Sequence, residues 1–140
     1  MCGIFGSIGK NYNNLEDTFL KELHHRGPDN RGVFKDHELE LLLGQTRLSI
    51  IDLTENGHQP MIDETGNFII TLNGEIYNYK DIKRQLVNKG YLFSSSSDTE
   101  VVLKSYIEWG EECVKMFRGM FAFCIFNKKT EELFLARDRF

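Results

Sequence analysis

Apolar positions along the chain change period several times, and each change marks an element. Cys2-Gly3-Ile4-Phe5-Gly6-Ser7-Ile8 alternates apolar and small residues, which predicts a strand opening the sequence. Leu15, Phe19, Leu20 and Leu23 recur at helical spacing, so a helix is expected from Leu15 to His25. Arg26-Gly27-Pro28-Asp29 then reads as a turn. Three short apolar runs, Leu39 to Leu43, Gln45 to Ile51 and Asn67 to Leu72, are expected strands, with a loop from Thr54 to Gly66 before the last. Helices are expected from Tyr79 to Lys89, with Asn78 as N-cap and Gly90 beyond, and from Thr99 to Trp109, with Asp98 as N-cap. Phe121 to Phe126 and Glu132 to Ala136 read as two strands joined by Asn127-Lys128-Lys129-Thr130. Strands grouped at both ends around two central helices point to a layered α+β fold rather than βαβ units. The sequence stops directly after a strand, so a truncated piece of a larger domain is expected.

Composition narrows the class. With 140 residues, 41% hydrophobic and 27% charged, the chain has the make-up of one globular domain. Seventeen basic and 21 acidic side chains leave a formal charge of −4, which gives no electrostatic reason to expect nucleic acid or an anionic membrane as partner. No apolar run is long enough to cross a bilayer, and the N-terminus lacks the pattern of a signal peptide. Cys2, Cys113 and Cys124 form no C-x-x-C pair and are odd in number, which favours free thiols in a reducing cytoplasm. The four histidines have no ligand-like spacing, so no metal is expected.

Candidate chemistry begins at Cys2. Met1 precedes a small residue, the setting in which the initiator is trimmed. Removal would leave a thiol and a free α-amine on one residue, and an α-amine titrates near 7.7–8.0 when unperturbed, suited to general base work. From position alone, a cysteine packed as a small hydrophobe is the more ordinary reading. Asn73-Gly74 offers a side-chain amide beside a backbone N–H without a Cβ in the way, a pair of donors suited to a tetrahedral oxyanion. By itself the same dipeptide also reads as a hairpin turn. Arg47 could hold a carboxylate bidentately or lie on a half-exposed strand. Glu75 and Asp98 could hold an ammonium, while Asp98 also fits a helix cap.

Eight runs in order resemble the glutaminase domain of the asparagine synthetases, a class II glutamine amidotransferase with an N-terminal-nucleophile fold. They are Met1-Cys2-Gly3-Ile4-Phe5-Gly6, His25-Arg26-Gly27-Pro28-Asp29, Arg47-Leu48-Ser49-Ile50-Ile51-Asp52, Gly57-His58-Gln59-Pro60-Met61, Asn73-Gly74-Glu75-Ile76-Tyr77-Asn78, Ser97-Asp98-Thr99-Glu100, Gly119-Met120-Phe121-Ala122-Phe123 and Ala136-Arg137-Asp138-Arg139. The resemblance implies a four-layer αββα sandwich, incomplete in this segment, with residues 1–140 as part of a glutaminase domain. It implies Cys2 as nucleophile, Asn73 and Gly74 as oxyanion hole, Arg47 on the substrate's α-carboxylate, and Glu75 and Asp98 on its α-ammonium. Glutamine would be the substrate, with no cofactor in this segment. The partner would be a C-terminal synthetase domain of the parent chain, using ATP and Mg2+ to make asparagine from aspartate. A glutaminase serving another acceptor, such as a surface-polysaccharide sugar, carries the same motifs, and a non-catalytic module retaining the fold is the rival of another class.

Overall fold

The computed structural model describes residues 2–9, 12, 15–52 and 54–139. Two antiparallel sheets form its centre. Strands β1 (Gly3–Ile8), β2 (Asn30–Asp36) and β3 (Leu41–Arg47) make the first sheet, in the order β1-β3-β2. Strands β4 (Met61–Ile62), β5 (Phe68–Ile76), β6 (Gly119–Asn127) and β7 (Glu132–Arg137) make the second, in sequence order. Helix α1 (Glu16–Leu23) packs outside the first sheet; α2 (Tyr79–Asn88) and α3 (Asp98–Trp109) cover the second. The layers are therefore α, β, β, α, the α+β sandwich expected.

Strand alternation sorts the core. Ile70, Leu72 and Ile76 of β5 pack with Ile82, Leu86, Val101 and Val102 under the helices. Ile69 takes the other face, where Leu41, Leu43, Cys124 and Phe126 fill the layer between the sheets. α2 and α3 form where the 3.6-residue period of these apolar positions demands it.

The structure differs from the sequence expectation at definable points. Leu39 to Leu43 and Gln45 to Ile51 are not two strands; β3 is one strand running through Gly44, whose missing side chain is replaced by the Phe5 ring. β2 was not foreseen, because an edge strand with polar residues at half its positions lacks clean alternation. Asn73 does not close a strand, and Asn73-Gly74 is not a turn: β5 continues to Ile76, with Gly74 opposite Phe121. Asp98 is not the cap of α3. Ser97 caps it, its Oγ accepting from Thr99 N at 3.0 Å. Asn78 precedes α2 as expected but spends its side chain elsewhere, donating to Met116 O and accepting from Arg118 N, both at 2.9 Å. Met1, whose removal is central to the chemistry anticipated for Cys2, lies outside the described residues.

Among the described residues no helix is long and apolar enough to cross a membrane. None of their His, Cys, Asp and Glu side chains gather in threes to hold a metal ion.

Candidate active site

β4 is only two residues long, and this creates the site. It begins only at Met61, opposite Ile70, so β5 runs on from Leu72 to Ile76 with no strand along that edge. Backbone groups of a strand alternate between its two sides. Phe68 O accepts from Asp63 N on the β4 side, whereas Tyr77 N donates to Arg118 O on the β6 side. Leu72, Gly74 and Ile76 therefore turn their N–H groups to the free edge.

Side chains take the place of the missing strand. Leu72 N donates to Gln59 Oε1 at 2.6 Å, and Leu72 O accepts from Gln45 Nε2 at 2.7 Å. Ile76 N donates to Asp98 Oδ2 at 2.9 Å. Between these two closed positions the alternation aims the Gly74 N–H at a cavity of about 140 Å³ lined by Cys2, Arg47, Asn73, Gly74, Glu75 and Asp98 among others. A wider apolar cavity of about 520 Å³ lies between β1 and β7, lined by residues such as Ile4, Phe5, Leu133 and Leu135. It has no convergent set of polar groups such as lines the smaller one.

Gly74 is glycine for a different reason from the one the sequence suggested. Its φ is +145°, and a Cβ would overlap Met120 O and lie 2.6 Å from Phe121 Cα. The close neighbour that excludes a side chain is β6. Asn73 lies on the β5 face that carries Ile69, turned toward the first sheet. Its Oδ1 is buried without a hydrogen bond among the described residues, so polar capacity at this position is not consumed by the fold.

Cys2 and Arg47 come from the first sheet. Gly3 pairs with Thr46, so Cys2 stands just beyond the paired register, beside the end of β3. Its Sγ accepts from Leu48 N at 3.4 Å, and the Nε of Arg26 donates to its carbonyl at 3.1 Å. Arg47 is 7% exposed, and its guanidinium donates to the carbonyls of Ile51, Asp52 and Thr54. Among the described residues those contacts use at most three of its five N–H donors. Gly57 gives the guanidinium its room, because a Cβ there would overlap Nη2.

Asp98 is 4% exposed, at the first turn of α3. Burial pushes its carboxyl above the usual carboxylate range, opposed by the Ile76 N–H, and the nearby negative charge of Glu75 adds to the rise. Two carboxylates on one small cavity disfavour each other's ionisation and favour a cation between them. The residues on either side of Leu53 that hold Arg47, Leu48 to Asp52 and Thr54 to Gly57, are tied down by Ser49 N to Asp29 Oδ2 and Ser96 N to Asp52 Oδ2, each at 2.8 Å.

All six residues singled out in the sequence thus line or face one cavity, from two sheets and one helix. Sequence reasoning gave no role to Gln59, Gln45, Arg26 or Gly57. Gln59 and Gly57 stand in one ordered motif and Arg26 in another, while Gln45 stands in none, and the contacts of all four are non-local.

The glutamine amidotransferase domain family model matches residues 1–140. An asparagine synthetase (glutamine-hydrolysing) 1 of Bacillus subtilis is 43% identical over 147 residues, covering 100% of this chain and 23% of the relative. A putative asparagine synthetase (glutamine-hydrolysing) 2 of Methanocaldococcus jannaschii is 42% identical, covering 99% and 30%. A protein of Gibberella zeae named amidase chry2 is 40% identical over 124 residues, covering 89% and 18%. The chain spans about a quarter of the length of such curated relatives. Among solved structures, a glutamine phosphoribosylpyrophosphate amidotransferase from B. subtilis superposes with a TM-score of 0.70 at 23% identity, covering 98% of this chain and 36% of that one. That last likeness is one of fold. The family match across the whole sequence, joined by relatives at about 40% identity, places this chain in the glutamine amidotransferase domain family.

Proposed function

We propose that Cys2, freed of Met1, hydrolyses the side-chain amide of glutamine. The observation that carries this reading is the convergence of Cys2, Arg47, Asn73, Gly74, Glu75 and Asp98 on one cavity. Arg47 offers guanidinium donors to the α-carboxylate, and Asp98 with Glu75 receives the α-ammonium. A site that pairs both charges of the amino-acid head rejects amides lacking either, since the partner would be left buried and unpaired.

The side-chain amide then lies toward Cys2. Its α-amine takes the thiol proton, and Sγ attacks the amide carbon. The carbonyl oxygen becomes an oxyanion received by Asn73 Nδ2 and the Gly74 N–H. Collapse returns the proton to the leaving nitrogen, ammonia departs and a thioester remains. Water, giving its proton to the same amine, attacks the thioester through a second oxyanion and releases glutamate.

Residues 1–140 are read as part of a glutaminase domain whose ammonia serves a synthetase domain of the parent chain. There ATP and Mg2+ would activate aspartate for asparagine formation, in the cytoplasm. A Gibberella zeae relative is named an amidase rather than an asparagine synthetase, so a second reading keeps the glutaminase and leaves the ammonia acceptor open.

The test is intact mass of the full-length protein, before and after incubation with a glutamine analogue carrying an electrophile in place of the amide. Loss of Met1 and one adduct on Cys2 is expected. A processed, folded protein that binds glutamine, stays unlabelled and releases no glutamate would favour the non-catalytic module instead.

A further inference from the structure

We propose that Gln59 is a positioning residue that sets the oxyanion strand and the ammonium-binding helix in one fixed relation. The inference rests on the glutaminase reading above. Gln59 is 6% exposed and lines the same cavity. Its two side-chain atoms reach two functional segments. Oε1 accepts from Leu72 N at 2.6 Å, one residue before Asn73. Nε2 donates to Thr99 Oγ1 at 3.0 Å, one residue after Asp98.

The backbone of Gln59 is itself held. Gly32 of β2 approaches so closely that a Cβ there would overlap Gln59 O and lie 2.6 Å from His58 Nε2. One residue therefore joins three parts, its backbone lying against the first sheet and its side chain reaching the free edge of the second and the start of α3. A β-strand laid along β5 would satisfy Leu72 N but would close the edge over Gly74. A glutamine satisfies the single position and leaves the next one open. Its second hand, on Thr99, fixes how far Asp98 stands from that opening. The Ile76–Asp98 bond closes the far side of the same frame.

The two arms should fail differently. The Thr99 arm steadies Asp98, which grips the amino-acid head in ground state and transition state alike, so its loss raises KM. The Leu72 arm steadies donors that meet charge only in the transition state, so its loss lowers kcat. A core filler would change stability without this division.

The experiment compares Gln59→Leu, Thr99→Val and Thr99→Ser in the full-length protein, by steady-state glutamine hydrolysis and by thermal melting. Thr99→Val should raise KM about tenfold with kcat within about threefold, and Thr99→Ser, which keeps the acceptor, should restore KM. Gln59→Leu should raise KM and lower kcat, each by about tenfold. Wild-type kcat and KM in a folded Gln59→Leu or Thr99→Val variant would overturn the proposal, as would a KM defect that serine does not repair. Should Gln59→Leu not fold, the valine and serine pair decides alone. A wild-type protein that neither hydrolyses glutamine nor accepts the electrophile at Cys2 would sink the glutaminase reading, and this proposal with it. An active wild type with indifferent variants sinks only the role of Gln59.

Discussion

Asp98 Oδ2 accepts the Ile76 N–H at 2.9 Å, so the carboxylate facing the cavity is also the peg between α3 and the free edge of β5. Its two duties pull against each other. Burial first, and the charge of Glu75 after it, hold the carboxyl above its ordinary range, so the ionised form needed for an ammonium is the costly one in the empty fold. The folded group binds its proton more tightly than the unfolded one. Stability therefore falls as pH rises from the unfolded value, near 3.8, through the higher folded value. Asp98→Asn should melt no lower than wild type at neutral pH, because Oδ1 of the new amide can still accept from Ile76. Its KM for glutamine should rise at least about tenfold. Wild-type KM should also begin to rise on acidification at a pH above that of an unperturbed carboxylate. A variant that melts lower while binding glutamine normally would reverse this assignment.

Arg47 and Gly57 supply a second test without touching the charge. Arg47→Leu removes the proposed carboxylate partner, and it also strips the Ile51, Asp52 and Thr54 carbonyls of a donor. That substitution confuses binding with loop collapse. Gly57→Ala leaves the guanidinium chemically intact but puts a methyl where Nη2 lies. Steady-state kinetics should show KM for glutamine raised about tenfold, with kcat within about threefold. Unchanged KM would mean that the guanidinium tolerates displacement and is not the carboxylate anchor.

How legible was all this in the sequence? The helices were, because Ile82 and Leu86, then Val102, Leu103, Tyr106 and Ile107, recur at helical period, although α3 turns out buried all round from Asp98 to Ser105. The candidate residues were legible as residue types within motifs. The free edge that joins them was not, since it depends on β4 beginning only at Met61, a property of pairing that no local pattern records. Asp98 shows the same limit. Beside Ser97 either residue fits an N-cap, and only the position of Ile76 across the fold decides that Ser97 caps while Asp98 reaches the strand. Gly44 misled in a third way, splitting one strand into two on paper, because the Phe5 ring that fills its place comes from a distant strand.

Asn73 and Gly74 should part company under mutation. Asn73→Ala removes a donor from the proposed oxyanion hole and leaves the paired backbone of β5 untouched. It should cost a factor of about 10²–10³ in kcat with little change in KM or melting temperature. Gly74→Ala forces a methyl onto Met120 O at a φ of +145°. Overpacking of about 1–3 kcal/mol and backbone strain of about 1–3 kcal/mol should lower stability sharply, whatever happens to catalysis. Melting curves beside rate measurements separate the two. A stable, active Gly74→Ala protein would show that β6 does not press on β5 as described.

Asp52 offers a test of how the cavity is kept closed. Its carboxylate accepts from the Thr54 hydroxyl, from Thr54 N at 3.0 Å and from Ser96 N at 2.8 Å, tying the loop over Arg47 to the segment before α3. The Thr54 hydroxyl leads in lowering this carboxyl to about 2; burial opposes it, and the Ser96 and Thr54 amides add to the lowering. Here the folded value lies below the unfolded one of 3.8, so the contribution is full above 3.8 and is lost as pH falls through about 2. Asp52→Asn should therefore melt below wild type at pH 6, with the gap narrowing once the pH drops under about 4. Amide exchange should report the same event at Ser96, faster in the variant at neutral pH. Because the Asp52 carbonyl also receives the Arg47 guanidinium, loosening the loop should weaken glutamine binding in step. A melting gap that persists unchanged into strong acid would mean that the hydrogen-bonded shape of the turn, not the charge of Asp52, holds the two loops together.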